Sequence, residues 1–216
     1  MKKIFLLLIS YFIIFSSHAQ FSKIAVKGSW NVSTARVYYV NDRTRSNIKQ
    51  PVEFKNGYGF ALLFKAQFDD VLHFSPTIGY NRRGYIYKPT YGDTLKYDNT
   101  IHYIDIIPAL SADFPVGERK NTLVISGGPQ LGFAISGTEK LTTISGTTTH
   151  KMKISSDGYY GLFDLGVSTG IGFHSPRMFV EAGYLIGLAN INNRFQSDHR
   201  NIRNRMLSLS FGYYLK

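Results

Sequence analysis

The sequence predicts an all-β fold: eight antiparallel strands in up-and-down order, closed into a transmembrane barrel behind an N-terminal signal peptide. Three observations predict it. Apolar and polar residues alternate with a period of two along eight segments, the bulkier apolar set shares one face in each, and the connections alternate between short and long. Aromatics make up 15% of the chain and glycine is abundant, while helix formers never recur at helical spacing.

Lys2 and Lys3 precede an apolar run from Ile4 to Phe15 and a small-x-small signal at Ser17-His18-Ala19. This is the layout of a secretory signal peptide over residues 1–19, with a mature barrel domain over 20–216 starting at Gln20. About a dozen apolar residues are too few for a spanning helix, which needs about 20. Later apolar runs are cut by Gly, Ser or a charge, so any crossing must use strands. With no cysteine in an exported chain, stability must come from packing or from closure of the sheet.

The first strand sets Ile24, Val26, Trp30 and Val32 outward against Ala25, Lys27, Ser29 and Asn31. The second sets Tyr58, Phe60, Leu62, Phe64 and Phe68 against Gly59, Ala61, Lys65 and Gln67. In the third, Leu72, Phe74, Ile78 and Tyr80 oppose His73, Ser75, Thr77, Asn81 and Arg83; in the fourth, Ile104, Ile106, Leu110 and Phe114 oppose Asp105, Ala109, Ser111 and Asp113. The fifth turns Leu123, Ile125, Leu131, Phe133 and Ile135 away from Ser126, Gly128, Gln130, Gly132 and Ser136. The sixth turns Phe163, Leu165, Val167, Ile171 and Phe173 away from Asp164, Gly166, Ser168, Gly170 and Gly172. The seventh separates Val180, Ala182, Tyr184, Ile186 and Leu188 from Glu181, Gly183, Gly187 and Ala189, and the eighth separates Leu207, Leu209, Phe211, Tyr213 and Leu215 from Ser208, Ser210, Gly212 and Tyr214.

A water-soluble barrel or sandwich would bury the apolar face and wet the polar one. Here the apolar face is the bulkier, which suits lipid outside and a polar lumen inside. Asp69-Asp70, the 115–121 segment and 175–177 make short turns, whereas 33–56, 86–100, 137–156 and 192–203 are long and polar. Short periplasmic turns, long external loops and both termini in the periplasm follow for an even-stranded barrel of the outer membrane.

The chain carries a formal charge of +11, of which Lys2 and Lys3 leave with the signal peptide. Phosphate-bearing headgroups or another acidic surface suit that excess; export makes nucleic acid an unexpected partner.

Several segments, in order, resemble the outer-membrane β-barrel domain family common in Bacteroidetes, which includes PorT-like proteins and is often called porin-like. They are Tyr80-Asn81-Arg82-Arg83-Gly84, Tyr103-Ile104-Asp105-Ile106-Ile107-Pro108, Gly127-Gly128-Pro129-Gln130-Leu131-Gly132, Phe163-Asp164-Leu165-Gly166 with Gly170-Ile171-Gly172, Gly187-Leu188-Ala189-Asn190-Ile191, and Arg205-Met206-Leu207-Ser208-Leu209-Ser210 with Gly212-Tyr213. The chain departs from the pattern in ending Tyr214-Leu215-Lys216 rather than on an aromatic, and in placing Thr77 where an acidic residue often stands. The resemblance implies an envelope barrel; only a PorT-like subset is tied to protein secretion.

Inward positions carry the cations Lys27, Lys65 and Arg83 and the anions Asp105, Asp113, Asp164 and Glu181. Unpartnered buried charge is costly, so an ion-pair network filling a narrow lumen is expected. Asp164 and Glu181 could alternatively form an acid–base or solute-binding pair, and His73 and His174 stand beside the short turns. Arg36, Arg43, Arg45, Lys49 and Lys55 near the first long loop, and Arg194, Arg200, Arg203 and Arg205 near the last, could clamp lipopolysaccharide phosphates or simply be solvated. Trp30, Tyr58, Tyr80, Tyr85, Tyr103, Tyr159, Tyr184 and Tyr213 are expected to form interfacial girdles.

No nucleophile elbow, phosphate loop, dinucleotide fingerprint or paired-ligand spacing occurs, so no enzyme, cofactor or metal is expected. The leading expectation is a structural or interaction barrel that contacts outer-membrane lipid, lipopolysaccharide and envelope or secretion proteins. A narrow porin, a secretion accessory, and an outer-rim hydrolase using His102, His150 and His199 are the alternatives.

Overall fold

A computed structural model describes residues 23–41, 46–49, 51–89, 94–117, 120–155, 160–193 and 200–215. The signal peptide, Arg43, Arg45, Tyr159, Arg194 and His199 lie outside the described residues. Among the described residues eleven strands are assigned: β1 (Lys23–Asn41), β2 (Ser46–Lys49), β3 (Val52–Glu53), β4 (Lys55–Gln67), β5 (Leu72–Tyr87), β6 (Thr94–Val116), β7 (Asn121–Thr143), β8 (Gly146–Lys151), β9 (Phe163–His174), β10 (Met178–Gly187) and β11 (Arg200–Tyr214).

Eight of these form a ring of antiparallel neighbours, β1-β4-β5-β6-β7-β9-β10-β11, closed where β11 pairs back onto β1 from Ala25↔Tyr214 to Tyr39↔Arg200. Closure leaves no free edge, the condition for a sheet to cross a bilayer. The remaining strands, β2, β3 and β8, extend β1, β5 and β7 at the loop end.

The expected phases hold along the ring. Trp30, Phe60, Leu110, Phe163, Leu207 and Phe211 stand exposed on the outer wall, while Asn31, Arg83, Asp105, Gln130 and Asp164 are buried. That distribution is the inverse of a water-soluble core and needs lipid outside.

Three tight turns sit at one end with both strand termini. Asp69 Oδ1 accepts hydrogen bonds from the Val71 and Leu72 amides at 2.7 and 2.9 Å, which holds its carboxyl below the usual range. Ser175 Oγ accepts from the Met178 amide at 3.1 Å. Gly117 adopts φ +66°, a conformation that favours glycine.

At the other end the expected loops are largely strand. β1 runs on to Asn41, β5 to Tyr87, β6 begins at Thr94, β7 reaches Thr143 and hairpins into β8, and β11 starts at Arg200. Runs such as Val37-Tyr38-Tyr39-Val40 and Thr147-Thr148-Thr149 are rich in β formers, so pairing continues past the lipid-facing band.

Some irregularities escape the alternation, among them a register shift between Thr94 and Lys96. A bulge leaves Ile135 without a partner between His102↔Ser136 and Tyr103↔Ala134, so Ser136, expected inward, is exposed and Gly137 is buried. Pro76 faces Pro108 across β5 and β6, and the β6–β7 ladder is interrupted between Ile106↔Leu131 and Leu110↔Gly127, the stretch that holds Pro108 and Pro129. Proline has no N–H to donate, which explains an interrupted ladder there.

Candidate functional site

The inward face carries most of the unusual chemistry, and it is built in layers. Towards the loop end, Arg83 of β5 donates from Nη2 to Asp105 of β6 and from Nη1 to Asp164 Oδ2 of β9 at 3.2 Å. Its guanidinium carbon lies 4.2 Å from the Tyr103 ring centroid. Asp105 also accepts from Asn81 Nδ2 at 2.7 Å and Gln130 Nε2 at 2.6 Å, and Asp164 accepts from Asn204 Nδ2 at 2.8 Å. Asn204 Nδ2 also reaches the Tyr103 hydroxyl at 3.1 Å. One cation and two anions are thereby held with several neutral donors, which is how buried charge becomes tolerable.

Glycine makes this layer possible. A Cβ on Gly132 would lie 2.5 Å from Gln130 Nε2 and 2.9 Å from Asp105 Oδ1. Any larger residue there would push the network apart.

Above it lies an apolar cap. Ala35, Val37, Tyr85, Ile101, Tyr103, Ala134, Ile191 and Ile202 pack together, with Val52, Tyr87, Met152, Ile154 and Tyr160 against them. The Ile191 amide donates to Ile202 O at 2.9 Å and the Met152 amide to Gly137 O at 2.9 Å, tying each loop segment to the neighbouring strand.

Near the turn end, Lys65 pairs with Asp113, and His73 Nδ1 lies 3.7 Å from the same carboxylate. Lys27 Nζ and His174 Nε2 approach Glu181 at 3.1 and 3.2 Å. His174 stacks on Phe179 with centroids 4.7 Å apart, and its Nδ1 lies 2.6 Å from the Tyr214 hydroxyl. Ala25, Leu63, Phe179 and Tyr214 form a second buried apolar cluster around it. Between the layers is a cavity of about 90 Å³ lined by small residues including Ser29, Ala61, Gly79, Ser126, Ser168 and Ser208.

All seven inward charges read from the sequence therefore lie in ion pairs, in three groups: Lys27 with Glu181, Lys65 with Asp113, and Arg83 with Asp105 and Asp164. The alternative pairing of Asp164 with Glu181 fails on depth. Glu181 sits opposite Gly172 of β9, about 26 Å along the strand from Asp164 at ~3.3 Å per residue. His73 and His174 face carboxylates inside the barrel, and among the described residues no His, Cys, Asp and Glu group could hold a metal.

Several residues stand elsewhere than expected. Tyr85 and Tyr103, read as girdle aromatics, are buried in the cap. Lys55, read as loop charge, pairs with Asp98 and donates to Thr100 Oγ1 at 2.5 Å. Tyr80 and His102 stack, with the hydroxyl 2.5 Å from Nδ1, and Arg82 lies 5.9 Å from the Tyr58 ring. His150 is exposed on β8 opposite Glu139, apart from His102 on β6. Asn204 was missed, although its even position matches inward Ser208 and Ser210 on the same strand.

Of the outer arginines, Arg36 and Arg203 are directly opposite on β1 and β11, and Arg205 follows opposite Thr34. Arg36 and Arg203 are exposed and Arg205 half-buried. Arg200 differs, with its guanidinium carbon 6.0 Å from the Tyr87 ring.

A family model described as outer membrane protein beta-barrel domain matches residues 17–193. Among solved structures, Neisserial surface protein A is 14% identical over 88% of this chain and 97% of that one, with a TM-score of 0.43. OprG from Pseudomonas aeruginosa is 10% identical over 89% and 95%, with a TM-score of 0.47. The outer membrane protease OmpT from Escherichia coli is 8% identical over 91% and 97%, with a TM-score of 0.46. No curated protein matches the chain.

Proposed function

The chain belongs to the outer membrane protein β-barrel domain family and resides in the cell outer membrane, and from that premise we propose that it is a closed barrel, an anchor whose work is done by its external rim. The observation that carries this reading is the Arg83 layer. A 1%-exposed guanidinium bridging carboxylates on two other strands fills the lumen, with the apolar cap above it. An eight-stranded ring is about wide enough for side chains to fill, so solute flow would require this layer to open.

The rim then faces outer-leaflet lipid and envelope partners, with Arg36, Arg203 and Arg205 among its charges. An accessory role in protein secretion, which the PorT-like resemblance implies, belongs to the same external or periplasmic surfaces and would be revealed by a secretion complex retained on purification. The residues after Ala19 form the mature barrel in this reading, the first 19 being its export signal.

The chain lacks cysteine, so single thiols report access cleanly. Ser126→Cys places one beside the lumen cavity and Lys140→Cys one on the exposed external part of β7. With the folded protein in vesicles, a small charged methanethiosulfonate should label the second and spare the first. Equal labelling rates would overturn the closed-barrel reading.

A further inference from the structure

We propose that the outer wall at the β1–β11 seam binds a phosphate group of an outer-leaflet lipid, held between Arg36 and Arg203 with Arg205 as a third ligand. The proposal rests on the external-rim reading above and adds a place and a chemistry to it.

Like charges directly opposite on paired strands have Cβ atoms about 4.5–5.5 Å apart and destabilise the pair unless something neutralises them. Arg36 and Arg203 occupy such a pair. Among the described residues no carboxylate ion-pairs with Arg36, Arg203 or Arg205; the described acidic residues at this end are engaged elsewhere, Asp98 with Lys55 and Lys96, Glu53 with Lys88, and Glu139 with the Tyr160 hydroxyl. Arg36 lies 5.5 Å from the Tyr38 ring, and Arg203 Nε donates to Asn201 Oδ1 at 3.1 Å. Both contacts hold the guanidinium groups on the wall without neutralising them. A phosphate monoester, with a charge approaching −2 spread over three oxygens, accepts bidentate hydrogen bonds from two guanidiniums at once.

The depth of the group selects a lipid as the source. Immediately below on the same strand pair, Val32 faces Leu207 and Trp30 faces Leu209, with Leu207 and Trp30 more than half exposed to the lipid side. Arg205 is two residues above Leu207 and Arg203 four, about 5 and 10 Å in height at ~3.3 Å per residue and a ~40° tilt. The headgroup layer begins there. On the flanking strand Ile186 faces Arg205, so apolar wall and cation row meet as acyl chain and phosphate do in a lipid.

The test uses the full mature chain folded in phosphatidylcholine nanodiscs, with bis-phosphorylated lipid A as probe and native mass spectrometry as readout. Arg36→Gln/Arg203→Gln should weaken retention at least tenfold and Arg205→Gln less, while Lys140→Gln, an exposed cation away from the seam, should leave it unchanged. Dephosphorylated lipid A should bind the unsubstituted protein no better than the double variant does. Inorganic phosphate at millimolar concentration should not displace the lipid.

A second readout guards against misfolding. In neutral lipid the double variant should be at least as resistant to urea as the parent protein, because a like-charge pair is relieved, and adding phosphorylated lipid A should reverse the order. Equal retention by parent and double variant, equal binding of dephosphorylated lipid, displacement by inorganic phosphate, or no reversal would each overturn the proposal. Thiol protection at Ser126→Cys is unaffected by any of these outcomes, so the closed-barrel reading stands or falls separately.

Discussion

Replacing Arg83 with methionine removes the one cation that Asp105 and Asp164 share while leaving both carboxylates buried at 2% and 1% exposure. Gln130, Asn81 and Asn204 still donate to them, so part of their charge remains solvated by the protein. Breaking a buried charge set by removing one partner costs about 3–5 kcal/mol. At an m-value of about 2 kcal/mol per molar urea this lowers the unfolding midpoint by roughly 2 M. The assay is reversible urea unfolding in lipid vesicles, followed by the mobility of unboiled samples on a mildly denaturing gel and by Trp30 fluorescence, the chain holding one tryptophan. Arg83→Met/Asp105→Asn/Asp164→Asn, which removes the charges together, should recover most of the loss, since a buried ion set and a neutral replacement differ little in stability. A midpoint for Arg83→Met within 0.3 M of the parent protein (about 0.6 kcal/mol at that m-value), or a triple variant no better than the single, would refute the reasoning.

Other expectations follow from the same layers. Gly212→Ala puts a Cβ 2.0 Å from the Phe179 ring, so urea titration should show a loss of about 1–3 kcal/mol, largely relieved by adding Phe179→Leu. Leu209→Arg, on the lipid-facing wall between Leu207 and Phe211, should cost about 2–4 kcal/mol in the same titration, whereas Leu215→Arg at the end of the chain should cost under about 1 kcal/mol. The Asp69 carboxyl should titrate by NMR below the ordinary value of about 3.9. Because its folded-state value is depressed, its contribution to stability is present at neutral pH and lost as the pH falls through that value, and Asp69→Ala should abolish this part of the acid response.

The fold was legible because lipid and lumen demand opposite residue types at alternate positions, and in a strand alternation is the whole signal. Ser126, Gly128, Gln130 and Gly132 were assigned inward on that basis and face the lumen. The Ile135 bulge was not legible: it is a change of backbone register, and Ser136 is chemically suited to either face. Tyr85 and Tyr103 show a different failure. Tyrosine suits a membrane interface by composition, yet both occupy odd positions on strands whose even positions face lipid, and the parity was the better guide.

For the site, parity assigns a face and says nothing about depth. It placed Asp164 and Glu181 on one face but not at opposite ends of the lumen, because depth depends on how far each strand slides along the next. The same gap hid the grouping of Arg83, Asp105 and Asp164 on three strands, and the pairing of Arg36 with Arg203 across the closing seam. The apolar cap was missed because its loop members, Met152, Ile154 and Ile191, lie in segments without a period.

Single-channel recording in planar bilayers tests the closed lumen most directly. The purified, folded protein should give no steady conductance steps at moderate voltage in 1 M salt, and Arg83→Met, which opens the charge layer but keeps the cap, should give at most brief flickers. Steady, uniform openings of the unsubstituted protein would contradict a lumen filled by the Arg83 layer.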